Sequence, residues 1–166
     1  MRKMMLLFVT LAAALTLAGC ENTESSQSLV VYSFHGENEL LAVHNGIIVI
    51  RDGAEVFDGG DLEVQEDFPS EITSYTTEFY YLSGNKEKTI LTHSVVDQTG
   101  NQISVEGDLG RISGDGAIFG LGAQDQELAD LQNGLYFELT TIDQSGTQNV
   151  YQVQMSVSEV LSESES

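Results

Sequence analysis

Three histidines, His35, His44 and His93, are the side chains of this 166-residue chain whose unperturbed titration falls near neutral pH. None lies beside a Gly-x-Ser-x-Gly nucleophile elbow, so no hydrolytic triad is written in sequence order. His35 and His44 sit at turn edges, where a solvated imidazole is expected. His93 alternates with Leu91 and Val95, which predicts a hydrogen-bonded core histidine. The histidines form no close pair and there is one cysteine, Cys20, so zinc finds no ligand set of usable spacing. Calcium asks only for oxygens from loops, and the sharpest candidates are Asp58 and Asp61 around Gly59-Gly60, and Asp108 with Asp115. Neither pair fits the twelve-residue hand loop, and turn formation accounts for both. Two carboxylates brought together from distant strands would be the remaining acid–base device.

Six glycines from Gly107 to Gly122 invite a test for phosphate binding. The segment fails it, because no Lys-Ser or Lys-Thr follows in the required spacing and no strand leads into a helix there. A loop or bulged edge strand explains the glycines better. Ile118 and Phe119 interrupt this run with apolar side chains and are the first choice for a partner contact. Tyr75, Phe79, Tyr80 and Tyr81 cluster on one run, but the chain has no tryptophan, so an aromatic sugar platform has little support.

The lone cysteine has a better explanation. Arg2 and Lys3 give a charged start, Met4 to Leu17 is apolar apart from Thr10 and Thr16, and Leu17-Ala18-Gly19-Cys20 follows. The run is shorter than the roughly 20 residues of a spanning helix and has the layout of a secretory signal. The four residues resemble the lipobox of bacterial lipoproteins. That resemblance implies attachment of a diacylglyceryl group, carrying palmitate-type acyl chains, to the Cys20 sulfur, followed by cleavage between Gly19 and Cys20. One acyl chain holds a bilayer marginally and two or more hold it durably, at about 0.8 kcal/mol per buried methylene. Glu21 is not the aspartate that favours inner-membrane retention in bacteria with two membranes. Beyond residue 20 the likeness to small bacterial lipoproteins is loose and carries no activity.

The elements that would position these residues read as follows. Residues 1–19 are the signal and 20–28 a lipidated cysteine with a polar, flexible tether reaching about 16 Å. Residues 29–161 form one β-domain, and 162–166, Ser-Glu-Ser-Glu-Ser, a disordered acidic tail. Leu29 to Phe34 is a strand. Asn45-Gly46 is the strongest hairpin signal, a type I′ turn between Leu40–His44 and Ile47–Arg51. Ile47 to Ile50 is an apolar run expected to be buried on both faces. Asp58-Gly59-Gly60 is turn chemistry before the alternating strand Asp61 to Gln65. Thr76–Leu82 and Lys88–Val96 form a hairpin, and Gln102–Glu106 continues the sheet. Leu135, Phe137 and Leu139 share one strand face and Tyr151, Val153, Met155 and Val157 another, with Asp143 to Gly146 turning between. Gln124 to Gln132 is the one helical stretch, a connector across one end.

About nine short strands predict an all-β, antiparallel two-sheet β-sandwich. Immunoglobulin-like topology is one arrangement, and a closed barrel is the alternative. With 26 acidic residues against six basic ones, the chain carries a formal charge of −20, and the signal takes Arg2 and Lys3 with it. Such a body repels nucleic acid and anionic lipid, and its acidity suits solubility outside the cell. The resulting expectation is an extracytoplasmic, membrane-anchored module that binds or scaffolds an envelope protein or ligand without catalysis. Two rivals remain: an exported hydrolase whose carboxylates and His93 converge only in the fold, and a calcium-dependent adhesion-type module.

Overall fold

The computed structural model describes residues 28–51, 54–66, 68, 72–96, 103, 105, 107–115 and 125–164. Nine strands and one helix are found among them: β1 Ser28–Glu37, β2 Leu41–Arg51, β3 Ala54–Val64, β4 Ile72–Ser83, β5 Lys86–Val96, β6 Gly107–Asp115, α1 Asp125–Gly134, β7 Leu135–Asp143, β8 Gln148–Gln154 and β9 Ser156–Ser164. They form an open two-layer sandwich, with the order β6-β3-β2-β1-β9 in one sheet and β5-β4-β7-β8 in the other. Every strand pairing is antiparallel. The two sheets stay separate, so the architecture is a sandwich and not a barrel. Three consecutive strands share one sheet as a meander, whereas an immunoglobulin fold moves to the second sheet after two, so the topology is not immunoglobulin-like.

Alternation drives the packing. Leu135, Phe137 and Leu139 on β7 are buried while their neighbours Tyr136, Glu138 and Thr140 are half-buried. Four phenylalanines lock the sheets together: Phe34 stacks on Phe57 with centroids 5.3 Å apart, and Phe79 stands edge-on to Phe57 at 5.0 Å. Phe137 joins Phe79 at 5.0 Å. Each such contact adds about 1 kcal/mol to the burial of the rings. Helix α1 closes one end by burying Leu131 and taking a 2.9 Å hydrogen bond from Ser83 Oγ to Asp130 Oδ2.

Several expectations change. Asn45-Gly46 and Asp58-Gly59-Gly60 are not chain reversals. β2 and β3 run straight through them, with His44 opposite Asp61 and Ile47 opposite Asp58, so two residues on each strand form a matched kink. Asn45 takes φ 58° and Gly60 φ 74°. A side chain at Gly46 would overlap the Phe34 ring, so the kink is where the sheet makes room for the aromatic core. Ile47 to Ile50 is buried on one face only, with Ile48 fully inside and Ile47 39 % exposed. His93 is exposed, because β5 is an edge strand and leaves that end of the sandwich open.

The run predicted from Tyr151 to Val157 is two strands. β8 belongs to the second sheet, and after Met155 the chain enters β9 in the first. The alternation survives the crossing: Val153 and Met155 are buried while Gln152, Gln154 and Ser156 are exposed. Ser162, Glu163 and Ser164 do not form a disordered tail. They end β9, where Ser164 pairs with Ser28, so the sandwich spans Ser28 to Ser164. Of the predicted strand Gln102–Glu106, Ile103 makes an isolated bridge to Ile72. The glycine-rich β6 is a bulged edge strand, with register shifts opposite Asp58/Asp61 and Leu62/Glu63.

Candidate functional site

Among the described residues, hollows lie at two opposite margins of the sandwich. The first, about 570 Å³, is an open groove where β1 ends, β9 begins and α1 finishes its last turn. His35, Glu37 and Ser156 contribute an imidazole, a carboxylate and a hydroxyl, and Gln132, Asn133 and Gln154 contribute amides. His35 and Ser156 face each other across the β1–β9 ladder. Gly36 is fixed here by space, since a methyl group on it would lie 2.7 Å from the Gln154 carbonyl oxygen. The end of α1 has no basic residue in its last turn, so side-chain amides serve its carbonyls. Asn133 Nδ2 donates to Ala129 O at 2.7 Å and Gln154 Nε2 to Asn133 O at 3.1 Å. Such a wall offers hydrogen-bond donors and acceptors in a mildly negative field.

The second hollow, about 430 Å³, is the slot between edge strands β5 and β6, lined by Tyr75, Leu91, His93, Leu109 and Ile112 among others. Thr77 Oγ1 donates to His93 O at 3.3 Å at its floor.

The calcium candidates behave differently from one another. Asp58 and Asp61 do converge, but on a guanidinium: Arg111 Nε donates to Asp58 Oδ1 at 2.7 Å and Oδ2 at 3.0 Å, and Arg111 Nη1 lies 3.6 Å from Asp61 Oδ1. Asn45 Nδ2 donates to Asp61 Oδ2 at 2.8 Å and the Gly60 amide to Asp58 Oδ1 at 3.0 Å. The hydrogen bond from Arg111 holds the Asp58 carboxyl below the usual carboxylate range. A side-chain cation therefore stands where a metal would be sought, bracing β3 to β6 across the kink. Asp108 pairs with Glu63 and Asp115 with Val56, at the two ends of β6, about 23 Å apart along an extended strand. They do not share a site. Among the described residues no group of three or more histidine, cysteine, aspartate or glutamate side chains is placed to hold a metal.

The tyrosine cluster divides by strand parity. Tyr81 and Phe79 are in the core, while Tyr80 lies on the outer face of its sheet yet is only 4 % exposed. Tyr136 stacks on Tyr80 with centroids 5.4 Å apart, and Gln152 Nε2 donates to the Tyr80 hydroxyl. Burial, followed by the nearby Glu138 and Glu87 carboxylates, pushes the Tyr80 phenol up to about 12.

Leu17, Ala18, Gly19, Cys20, Ile118 and Phe119 lie outside the described residues. Of the groove, sequence inspection singles out only His35. Gln132, Asn133 and Gln154 are ordinary amides until the fold gathers α1 and β8 beside β1. Arg111 carried a weak signal, being one of few cations in an acidic chain. Among the described residues no helix is long and apolar enough to cross a membrane. No protein-family model matches the chain, and no curated protein or solved structure matches it either.

Proposed function

We propose that this chain is an extracytoplasmic lipoprotein, anchored through acyl chains on Cys20, that acts as a non-catalytic binding or scaffold module of the cell envelope. One observation carries the reading: the direction of β1. Ser28, next to the linker from Cys20, pairs with Ser164 and starts the strand, while His35 and Glu37 at its far end line the open groove. Nine steps of an extended strand span about 30 Å. An anchor on Cys20 would thus hold the domain by one end and turn the amide-lined groove away from the lipid. The export signal and the strongly acidic body support the same placement.

The groove is suited to binding. Its polar groups are amides, hydroxyl and single charges in an open hollow, and the histidines His35, His44 and His93 lie on β1, β2 and β5 with no metal-forming group near them among the described residues. The test is mass spectrometry of the protein recovered from living bacterial cells. Diacylglycerol on an N-terminal Cys20, together with release of the Cys20→Ser chain from the membrane fraction, is the expected result. A free thiol at Cys20 would refute the anchor. Turnover of an ester, peptide or glycoside substrate that disappears in His35→Ala would refute the non-catalytic part.

A further inference from the structure

Among the described residues the two sheets have four edge strands, and they are not equivalent. β8 is covered: Asn38 Nδ2 donates to the Gln152 carbonyl oxygen at 2.9 Å, and Gly36 packs against Gln154. β6 is interrupted by Gly107 and Gly110 at φ 68° and 88° and by two register shifts, so its row of amides and carbonyls is broken. β5 carries Lys86 and Lys88 and has a register shift opposite Phe79/Tyr80. β9 differs from all three. Among the described residues its backbone partners are on β1 alone, and its nine residues contain no glycine, proline, lysine or arginine.

An open strand edge presents unpaired N–H and C=O groups that another extended chain can complete. The side chains of β9 then decide which chain. Glu159 and Glu163 are exposed, and Val160 and Leu161 between them are 60 % and 39 % exposed. Lysine and arginine suit this mixture of exposed acids and apolar side chains, laying an apolar stem on Val160 or Leu161 and a charged head on a glutamate. Burial, followed by the nearby Glu159 carboxylate that accepts from its hydroxyl, raises the Tyr32 phenol, which places Glu159 beside β1 at this step. The one register shift in β9, opposite Val31/Tyr32, sits at this apolar step and leaves a run of paired residues on either side. At its start β9 opens into the groove, where Glu37 lies beside the last turn of α1, which holds no basic residue.

A second copy of the chain is the wrong occupant. Two bodies each bearing a large negative charge would have to approach along strands that both carry glutamates, and like charges across a ladder are destabilising. The same acids that exclude self-pairing favour a basic strand. We propose that the free edge of β9 is a docking strand for an extended, lysine- or arginine-bearing segment of another protein, which adds to the five-stranded sheet as a sixth strand. This rests on the reading of the chain as a binding module, and it deepens that reading by naming the partner chemistry.

The experiment uses the full chain as recovered from cells, with vesicles of zwitterionic lipid present, and three synthetic ten-residue peptides as probes. One alternates lysine with threonine, the second alternates glutamate with threonine, and the third is the lysine peptide N-methylated at alternate amides. Isothermal titration should find the lysine peptide binding at least about tenfold tighter than either of the others. Hydrogen exchange should slow at alternate β9 amides when it binds. The double substitution Glu159→Gln/Glu163→Gln should weaken binding about tenfold, while Glu78→Gln/Glu138→Gln, the same charge change on the outer face of the other sheet, should leave it unaltered. Equal weakening by both pairs, equal binding of the N-methylated peptide, or unprotected β9 amides would overturn the proposal. A concentration-dependent dimer that protects β9 without peptide would overturn it too. None of these outcomes bears on whether Cys20 is acylated, so failure here is distinct from failure of the anchored reading.

Discussion

Asn45-Gly46 with Gly59-Gly60 on one side of the molecule, and Asp143 to Gly146 on the other, are built from the same turn-forming residues and end in opposite ways. At Asp143 the chain reverses. Asp143 Oδ1 accepts hydrogen bonds from the Ser145 amide at 2.8 Å, the Ser145 hydroxyl at 2.6 Å and the Thr147 amide at 2.9 Å, and Gly146 takes φ 82°. At Asn45 the backbone takes a similar left-handed angle, yet β2 continues for six more residues to Arg51. Asp58 still accepts the Gly60 amide as Asp143 accepts that of Ser145, but the polar groups here also reach across strands, Asn45 to Asp61 and Asp58 to Arg111. Turn chemistry thus fixes a local backbone angle. Whether that angle reverses the chain depends on what lies opposite.

The difference can be sharpened by substitution, since Gly60 and Gly146 share a positive φ but not an environment. A methyl group at Gly60 would overlap the His44 carbonyl oxygen and lie 2.6 Å from the Gly46 nitrogen, whereas at Gly146 nothing lies within 4 Å. Gly60→Ala should therefore cost about 3 kcal/mol or more, through backbone strain and overlap together, read as a lower urea midpoint. Gly46→Ala follows at about 2 kcal/mol, because the buried Phe34 ring must shift, and near-ultraviolet circular dichroism should report the loosened aromatic core. Gly146→Ala should cost about 1 kcal/mol, the left-handed penalty alone. If Gly60→Ala and Gly146→Ala proved equal, the kink would be no more constrained than an exposed turn.

The smallest effects are electrostatic. The Asp58 and Asp143 carboxyls both titrate below their ordinary value, Asp58 chiefly through its hydrogen bond from Arg111 and Asp143 chiefly through that from Ser145. For each, the unfolded chain binds more protons in the window between the lowered and the ordinary value. The stability they contribute is complete above the ordinary carboxylate range and is lost as pH falls through the lowered value. Arg111→Gln should return the Asp58 carboxyl toward its ordinary range in a carbon-detected NMR titration and leave Asp143 where it was. Because both sites are solvent-facing, added salt should shrink the Asp58 response. At the alkaline side the sign reverses for Tyr80: its phenol, raised to about 12, favours the protonated form in the fold. Stability should fall as pH rises from 10 toward 12, and Tyr80→Phe should flatten that limb.

Much of the β-architecture was legible because alternation is a short-range property. The faces of β7, the helix near Gln124 to Gln132 and the Asp143 turn all follow from residues within a few positions of one another. The expected count of about nine strands agrees with the nine observed for a partly compensating reason. Two predicted strands fuse into β2, the predicted Tyr151–Val157 strand divides into β8 and β9, and β6 stands in the glycine-rich segment. Periodicity registers none of this, since a strand keeps its alternation through a kink and across Met155 from one sheet to the other.

By itself the sequence determined an all-β, acidic, antiparallel body, because composition, charge and period-two patterning act locally on the backbone. The tertiary structure alone decided that Asp58 meets Arg111, 53 positions away, and that Tyr80 meets Gln152, 72 positions away. It also decided that amides from α1 and β8 gather at the end of β1, and that β9 pairs with β1 alone among the described residues. These are outcomes of strand order, and strand order is set by how the whole chain buries its phenylalanine core, a long-range sum that no window of neighbouring residues contains.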